Sequence, residues 1–273
     1  MSSGAVIVSG GTFGLGREIS LRLAEAGYPV TAFGLETPQI SSIAGNSIPA
    51  LRSEAESRGL DLHAVEADVT SEADVARIVE TTIARHGRIH GIVNNAAIGP
   101  LGTVMDTDPG IWDKIMAVNL RGPFLMSRAV IPHFVSNGGG CIVNVGSGAG
   151  WGKANMAAYA TSKGGIIAMS ASMALDHFYD RVRVNTVIPG GGGIVAGMSL
   201  GRVGGDISRL GPGAVGTVAG RVTTGTDLGN AIAWLMSPEA EAISGTIIDV
   251  GCFAHQGSSV PLKRTKIEEK SNG

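Results

Sequence analysis

Tyr159 and Lys163 stand four residues apart in the run Ala158-Tyr159-Ala160-Thr161-Ser162-Lys163, and Ser147 lies twelve positions before the tyrosine. On a helix, positions i and i+4 share a face, so a phenol and an ammonium would lie side by side. A free tyrosine, with a pKa of about 10, is too weak an acid for an efficient base at neutral pH. A neighbouring ammonium stabilises the phenolate and lowers that value. Such a pair could take a proton from a hydroxyl group or return one to a carbonyl oxygen. Each residue alone also has a plainer reading: Tyr159 as a half-buried helix aromatic, Lys163 as a surface cation, Ser147 as a loop hydroxyl.

A second set of residues has the chemistry of a nucleotide site. In Ser9-Gly10-Gly11-Thr12-Phe13-Gly14-Leu15-Gly16, the glycines Gly10, Gly14 and Gly16 follow an apolar strand and open a helix. Glycine permits the tight turn and close backbone approach, and a helix N-terminus favours a pyrophosphate. The same spacing also fits a ligand-free strand-to-helix turn. The second strand should end near an adenosine ribose, where a carboxylate would accept from both hydroxyls. Glu36 lies 20 residues past Gly16, 33–36 hold no basic residue, and Phe13 fills a loop position where a base could meet a phosphate. These features favour NAD over NADP, although an aligned acid would be expected at position 34. Asp68, before Val69, could accept from an adenine amino group; its other reading is a helix cap, a task that suits Thr70 or Ser71 better. In Asn94-Asn95-Ala96-Ala97, small residues leave room for a ribose, while Asn94 reads as a tie between strands.

The elements that would position these groups alternate along the chain. Strands are expected at 5–9, 29–33, 62–66, 89–93, 140–145, 181–187 and 246–250. Helices are expected at 14–26, 50–58, 72–86, 109–135, 154–179 and 226–236. Strands alternating with helices indicate crossover units, hence an α/β fold with a doubly wound parallel sheet. Several strands are β-branched and nearly continuous, as in sheets buried on both faces. Residues 1–257 read as one domain, with 37–50 a surface insertion, 190–222 a glycine-rich substrate lid and 258–273 a polar tail.

With 273 residues, the chain can bury a substantial core. No apolar run is long enough to span a bilayer, and the start lacks the basic region of a signal peptide, so a cytoplasmic location is the default expectation. The formal charge of −2 argues against a nucleic-acid surface. Cys141 and Cys252 show no metal spacing and read as reduced core thiols; no metal site is expected.

In this order, these stretches resemble the classical short-chain dehydrogenase/reductase family. The matches are the loop at 9–16, Asp68-Val69, Asn94 to Ala97, Val118-Asn119-Leu120, Ser147, Tyr159 with Lys163, and Pro189-Gly190. They cover about residues 4–253. The resemblance implies a seven-stranded Rossmann-like sheet, a nicotinamide cofactor, and a homo-oligomer, tetramer or dimer. It implies an oxidoreductase acting on a secondary alcohol or ketone, whether a small alcohol, polyol, sugar or cyclic compound. Tyr159 would move the proton, and Lys163 would tune it and grip the nicotinamide ribose. Ser147 would hold the substrate oxygen, and Asn119 would support a water linking Lys163 to solvent. Cofactor contacts would come from Gly10, Thr12, Phe13, Gly14, Leu15, Gly16, Glu36, Asp68, Val69, Asn95, Ala96, Ala97, Tyr159, Lys163, Pro189, Gly190 and Gly192.

The chain departs from the family pattern at Ser9 (often Thr), Ala97 (usually Gly), Gly146 (often Ser) and Gly191 to Gly193, where carboxamide contacts are expected. Trp151, with Ile98 and Met156, could line the substrate pocket or pack elsewhere. Arg202 and Arg209 read as solvated lid charges or partners of an anionic substrate. Apolar residues on more than one face of 109–135 and 154–179 suggest burial against another subunit. Two alternatives remain on the same scaffold: a non-catalytic nucleotide-binding regulator, and an epimerase or dehydratase.

Overall fold

The computed structural model describes residues 4–37, 47–190 and 219–251. Its strands are β1 (Ala5–Ser9), β2 (Val30–Gly34), β3 (Leu62–Glu66), β4 (Ile89–Asn94), β5 (Gly140–Val145), β6 (Val182–Pro189) and β7 (Ile247–Val250). They form one seven-stranded sheet in the order β3-β2-β1-β4-β5-β6-β7, parallel throughout. The order reverses between β1 and β4, which opens a crevice above their carboxyl ends, the place where ligands bind in such sheets.

The helices are α1 (Gly14–Glu25), α2 (Ile48–Ser57), α3 (Glu72–His86), α4 (Pro109–Met116), α5 (Gly122–Ser136), α6 (Ala157–Asp176) and α7 (Gly225–Met236). One face of the sheet is covered by α1, α2 and α7 through Ile19, Leu23, Leu51, Leu228 and Ile232. The opposite face is covered by α3, α5 and the end of α6 through Ile78, Met126, Val130, Phe134 and Ala174. All five residues of β1 are buried, as the unbroken apolar run predicts for a central strand covered on both faces. Local chemistry marks the helix starts: Ser71 caps α3, Asp108 caps α4, and Thr224 with Asp227 forms a capping box on α7.

Two expectations change. The helix expected at 109–135 is interrupted by a π-helical turn, Ala117–Arg121, between α4 and α5. The helix expected at 50–58 begins earlier, at Ile48, with Ser47 as its cap and Pro49 in its first turn. Much of 37–50, most of the 190–222 lid, Gly192, Arg202, Arg209, Cys252 and the 258–273 tail lie outside the described residues. Among those described, no helix is long and apolar enough to cross a membrane.

Candidate active site

Lys163 and Tyr159 sit in the first two turns of α6, and both are buried, at 3% and 7% exposure. The Lys163 ammonium lies 5.9 Å from the centroid of the Tyr159 ring, and its Nζ donates to the Val145 carbonyl at the end of β5 at 2.7 Å. The surface-cation reading of Lys163 is therefore wrong. Burial alone lowers its pKa from 10.5 to about 8. At pH 7 most molecules still hold the ammonium, and nothing but burial opposes it.

Ser147 follows β5 and caps a short 3₁₀ turn, Gly148–Trp151; its Oγ accepts from the Ala149 N–H at 3.2 Å. With its oxygen engaged as acceptor, its own proton is available to donate. The turn packs closely on α6. A Cβ added at Gly150 would lie 3.1 Å from the Lys163 carbonyl, and one at Gly164 would lie 3.0 Å from the Gly150 carbonyl. Backbone contact thus fixes the serine loop against the helix that holds the phenol and ammonium.

Asn119 lies in the π-helical turn and is buried. Its Oδ1 accepts from Ile98 N and its Nδ2 donates to Ile98 O, both at 2.8 Å, and Nδ2 also donates to Ser162 Oγ at 3.0 Å. Ser162 in turn donates to the Tyr159 carbonyl at 2.7 Å. Its side-chain amide is thus engaged by Ile98 and Ser162. That amide clamps the segment after β4 to the first turn of α6. Met156, at the start of α6, also pairs with Gly102 in an isolated bridge. Ile98 and Met156 are half-buried, and Trp151 is 43% exposed at the edge of the serine turn.

The glycine loop is built for close approach. Gly10 and Gly14 have φ of +61° and +51°, which favours glycine. A Cβ at Gly16 would lie 1.9 Å from the Gly10 carbonyl, and one at Gly10 would lie 2.8 Å from the Ala96 Cα. Asn95 Nδ2 donates to Gly10 O at 2.9 Å, and Ser9 Oγ accepts from Asn95 N at 3.1 Å, so the Ser9 hydroxyl is put to use. Asn94 Nδ2 donates to Asn144 Oδ1 at 2.8 Å, the expected tie between strands.

These residues fit a dinucleotide. Phe13 stands at the N-cap of α1 and makes no side-chain cap bond, and the first turn holds no acid, unlike α3 and α7, so an anion there meets unopposed N–H groups. Thr12 and Leu15 are buried beneath the loop, and Val69 is buried beside Gly122 at the start of α5. Asp68 is not a helix cap: its Oδ1 accepts from Thr70 N and Thr70 Oγ1, both at 2.8 Å, while Ser71 caps α3. Glu36 is half-buried and not simply solvated. Its Oε1 accepts from Ile48 N at the start of α2, at 3.3 Å. Pro189 ends β6, and Gly190 is pressed against Thr223: a Cβ there would lie 2.2 Å from Thr223 Oγ1. Thr223 is fully buried, and its hydroxyl has no hydrogen-bond partner among the described residues. The sequence reading missed it, since a lone threonine before a helix cap gives no signal.

A family model for short chain dehydrogenases matches residues 4–198. The chain is 33% identical to 2-(S)-hydroxypropyl-CoM dehydrogenase 3 of Xanthobacter autotrophicus, over 90% of this chain and 94% of that protein. A short-chain dehydrogenase/reductase from Burkholderia xenovorans superposes with a TM-score of 0.79 at 29% identity, covering 93% of this chain and 97% of that one. The 3-ketoacyl-(acyl-carrier-protein) reductase of Brucella melitensis, solved with NADH, superposes with a TM-score of 0.75 at 29% identity, covering 91% and 97%. Fold, motif order and similarity agree, and the chain belongs to the short-chain dehydrogenase/reductase family of oxidoreductases.

Proposed function

We propose that the chain is a nicotinamide-dependent oxidoreductase interconverting a secondary alcohol and its ketone, with Tyr159 as the proton carrier. The observation that supports this most is the buried Lys163 ammonium, 5.9 Å from the Tyr159 ring and exposed to only 3%. An unneutralised buried cation is costly, and a phenolate beside it offsets that cost. When bound, a nicotinamide dinucleotide accepts or supplies the hydride.

The chain's own residues do the rest. Tyr159 takes the hydroxyl proton in oxidation and returns it to the carbonyl oxygen in reduction. Ser147 donates to that oxygen and holds it in either direction. Lys163 stabilises the phenolate, and its remaining N–H groups are suited to a ribose hydroxyl. Asn119 is a positioning residue, acting through Ser162 and Ile98. The uncapped N-terminus of α1 with Gly10, Gly14 and Gly16 would hold the pyrophosphate; Asp68 and Val69 would meet the adenine, and Asn95 to Ala97 the ribose. Pro189, Gly190 and Gly192 would meet the nicotinamide side. NAD is favoured over NADP because 33–36 hold no basic side chain.

The substrate class follows from names as well as geometry. A 2-hydroxypropyl group and a 3-ketoacyl group, in the names of the two relatives above, are both a secondary alcohol or its ketone. Trp151, Ile98 and Met156 would line the pocket, under a lid at about 190–222. The proposal includes a homo-oligomer, tetramer or dimer, since Trp112 and Phe124 remain 36% and 47% exposed on α4 and α5. It also includes a single domain over 1–257 and a cytoplasmic location.

The test is a panel of secondary alcohols, polyols, sugars and cyclic ketones with both cofactors, read by nicotinamide absorbance. Turnover with a member of the panel is the expected result. Binding of neither cofactor contradicts the proposal. Binding without turnover favours a regulatory nucleotide-binding protein, and conversion without net absorbance change favours an epimerase or dehydratase.

A further inference from the structure

We propose that Glu66, on β3, supplies the carboxylate that discriminates against a phosphate on the adenosine ribose, in place of a side chain at Gly34. The inference rests on the dinucleotide reading above and deepens it.

A ribose at such a site meets the end of the second strand, where a carboxylate accepts from its hydroxyls and repels a phosphate. Here β2 ends in Gly34, and a Cβ at that position would lie 2.6 Å from Thr12 Oγ1. Thr12 is 5% exposed, so an acid at position 34 would have to displace its buried hydroxyl.

The neighbouring strand provides one. Gly34 and Glu66 are partners in the β2–β3 register. Register partners in adjacent strands share a face of the sheet. Val30 and Ala32 lie in the same core as Leu62 and Ala64, on the side covered by α1 and α2. Alternation therefore puts Glu66 on that side, the one from which the glycine loop opens α1. Its Oε1 accepts from the Glu36 N–H at 3.2 Å, which brings the carboxylate to the chain two residues beyond Gly34. Glu66 is exposed, as a ligand-facing group requires.

The other charged groups nearby are engaged elsewhere. Glu36 directs Oε1 to the first turn of α2. Arg52 Nε donates to the Ala64 carbonyl at 2.7 Å. Arg77 donates to the Glu66 backbone carbonyl at 3.2 Å and is paired with Asp74 at 2.8 Å, on the α3 side of the sheet. What sets Glu66 apart is its register: it is the partner of Gly34, whereas Glu36 lies two residues further along the chain.

The experiment is equilibrium titration of the full chain, and of its Glu66→Gln and Glu36→Gln variants, with NADH and with NADPH, followed by nicotinamide fluorescence. Glutamine keeps the shape and the acceptor for Glu36 N while removing the charge. The wild type should bind NADH more tightly than NADPH. Glu66→Gln should shrink that preference roughly tenfold, the scale of one exposed carboxylate facing a phosphate dianion, mainly through tighter NADPH binding. Glu36→Gln should change it less. An unchanged preference in Glu66→Gln, a shift carried wholly by Glu36→Gln, or a wild type without preference for NADH overturns the inference and leaves the dinucleotide reading intact. A wild type that binds neither cofactor is instead a failure of that reading.

Discussion

Replacing Lys163 by methionine should remove activity while making the protein's stability less dependent on pH. The lysine is buried, with a pKa lowered by desolvation from 10.5 to about 8. Below pH 8 it is charged in both the folded and the unfolded chain, and the folded chain bears the cost of burying that charge. That cost corresponds to roughly 3 kcal/mol for this gap in pKa. Between pH 8 and 10.5 the unfolded chain binds more protons, so stability rises with pH. For the values above, the gain from pH 7 to pH 9.5 is about 2 kcal/mol. Methionine fills a similar volume and cannot titrate. The variant also loses the 2.7 Å bond to the Val145 carbonyl, at a cost of about 1–3 kcal/mol. At pH 7 these effects nearly offset, and the variant should be about as stable as the wild type. At pH 9.5 it should be less stable by about 2 kcal/mol. Urea unfolding of both proteins at the two pH values measures this, and other titrating groups cancel in the difference. Parallel pH dependences would mean that the buried Lys163 does not titrate with a lowered pKa.

Two further perturbations test other parts of the site. Ser147→Ala should lower kcat about 100-fold, the scale of one lost donor to a developing oxyanion, while fluorescence titration shows cofactor affinity unchanged; an unchanged kcat would remove Ser147 from the chemistry. Gly16→Ala places a Cβ 1.9 Å from the Gly10 carbonyl, so the loop must shift. Nicotinamide cofactor affinity should fall at least about tenfold, the effect of a backbone displacement costing 1.4 kcal/mol or more, and unchanged affinity in the same titration would contradict the cradle.

Much of the architecture was legible because its signals are local. The apolar run Ala5 to Val8 and the β-branched runs before Asn94 and Gly146 mark buried strands without knowledge of what covers them. Glycines at 10, 14 and 16 likewise declare a turn by composition. The Tyr159–Lys163 pairing followed from helical spacing alone. What the sequence hid was set by contacts between distant residues. The π-helical turn holds Asn119, whose amide is bonded to Ile98, 21 residues earlier. Nothing within 109–135 encodes that partner, so the segment reads as one helix. The buried Lys163 ammonium finds its partner in the Val145 carbonyl at the end of β5, 18 residues earlier. The role of Glu36 depended on where α2 begins, and that start is set by Ser47 and Pro49 within a stretch that reads as a surface insertion.

Tyr159 is the proposed proton carrier, and its hydroxyl is the group whose loss bears on the chemistry most directly. Tyr159→Phe keeps the ring beside Lys163 and removes the hydroxyl. The direct measurement is turnover on an alcohol accepted by the wild type, together with fluorescence titration of the nicotinamide cofactor on the same preparation. In Tyr159→Phe, kcat should be lower by about 1000-fold or more, within the range of lost general acid–base catalysis, with cofactor affinity nearly unchanged. Full turnover in Tyr159→Phe would contradict Tyr159 as the proton carrier.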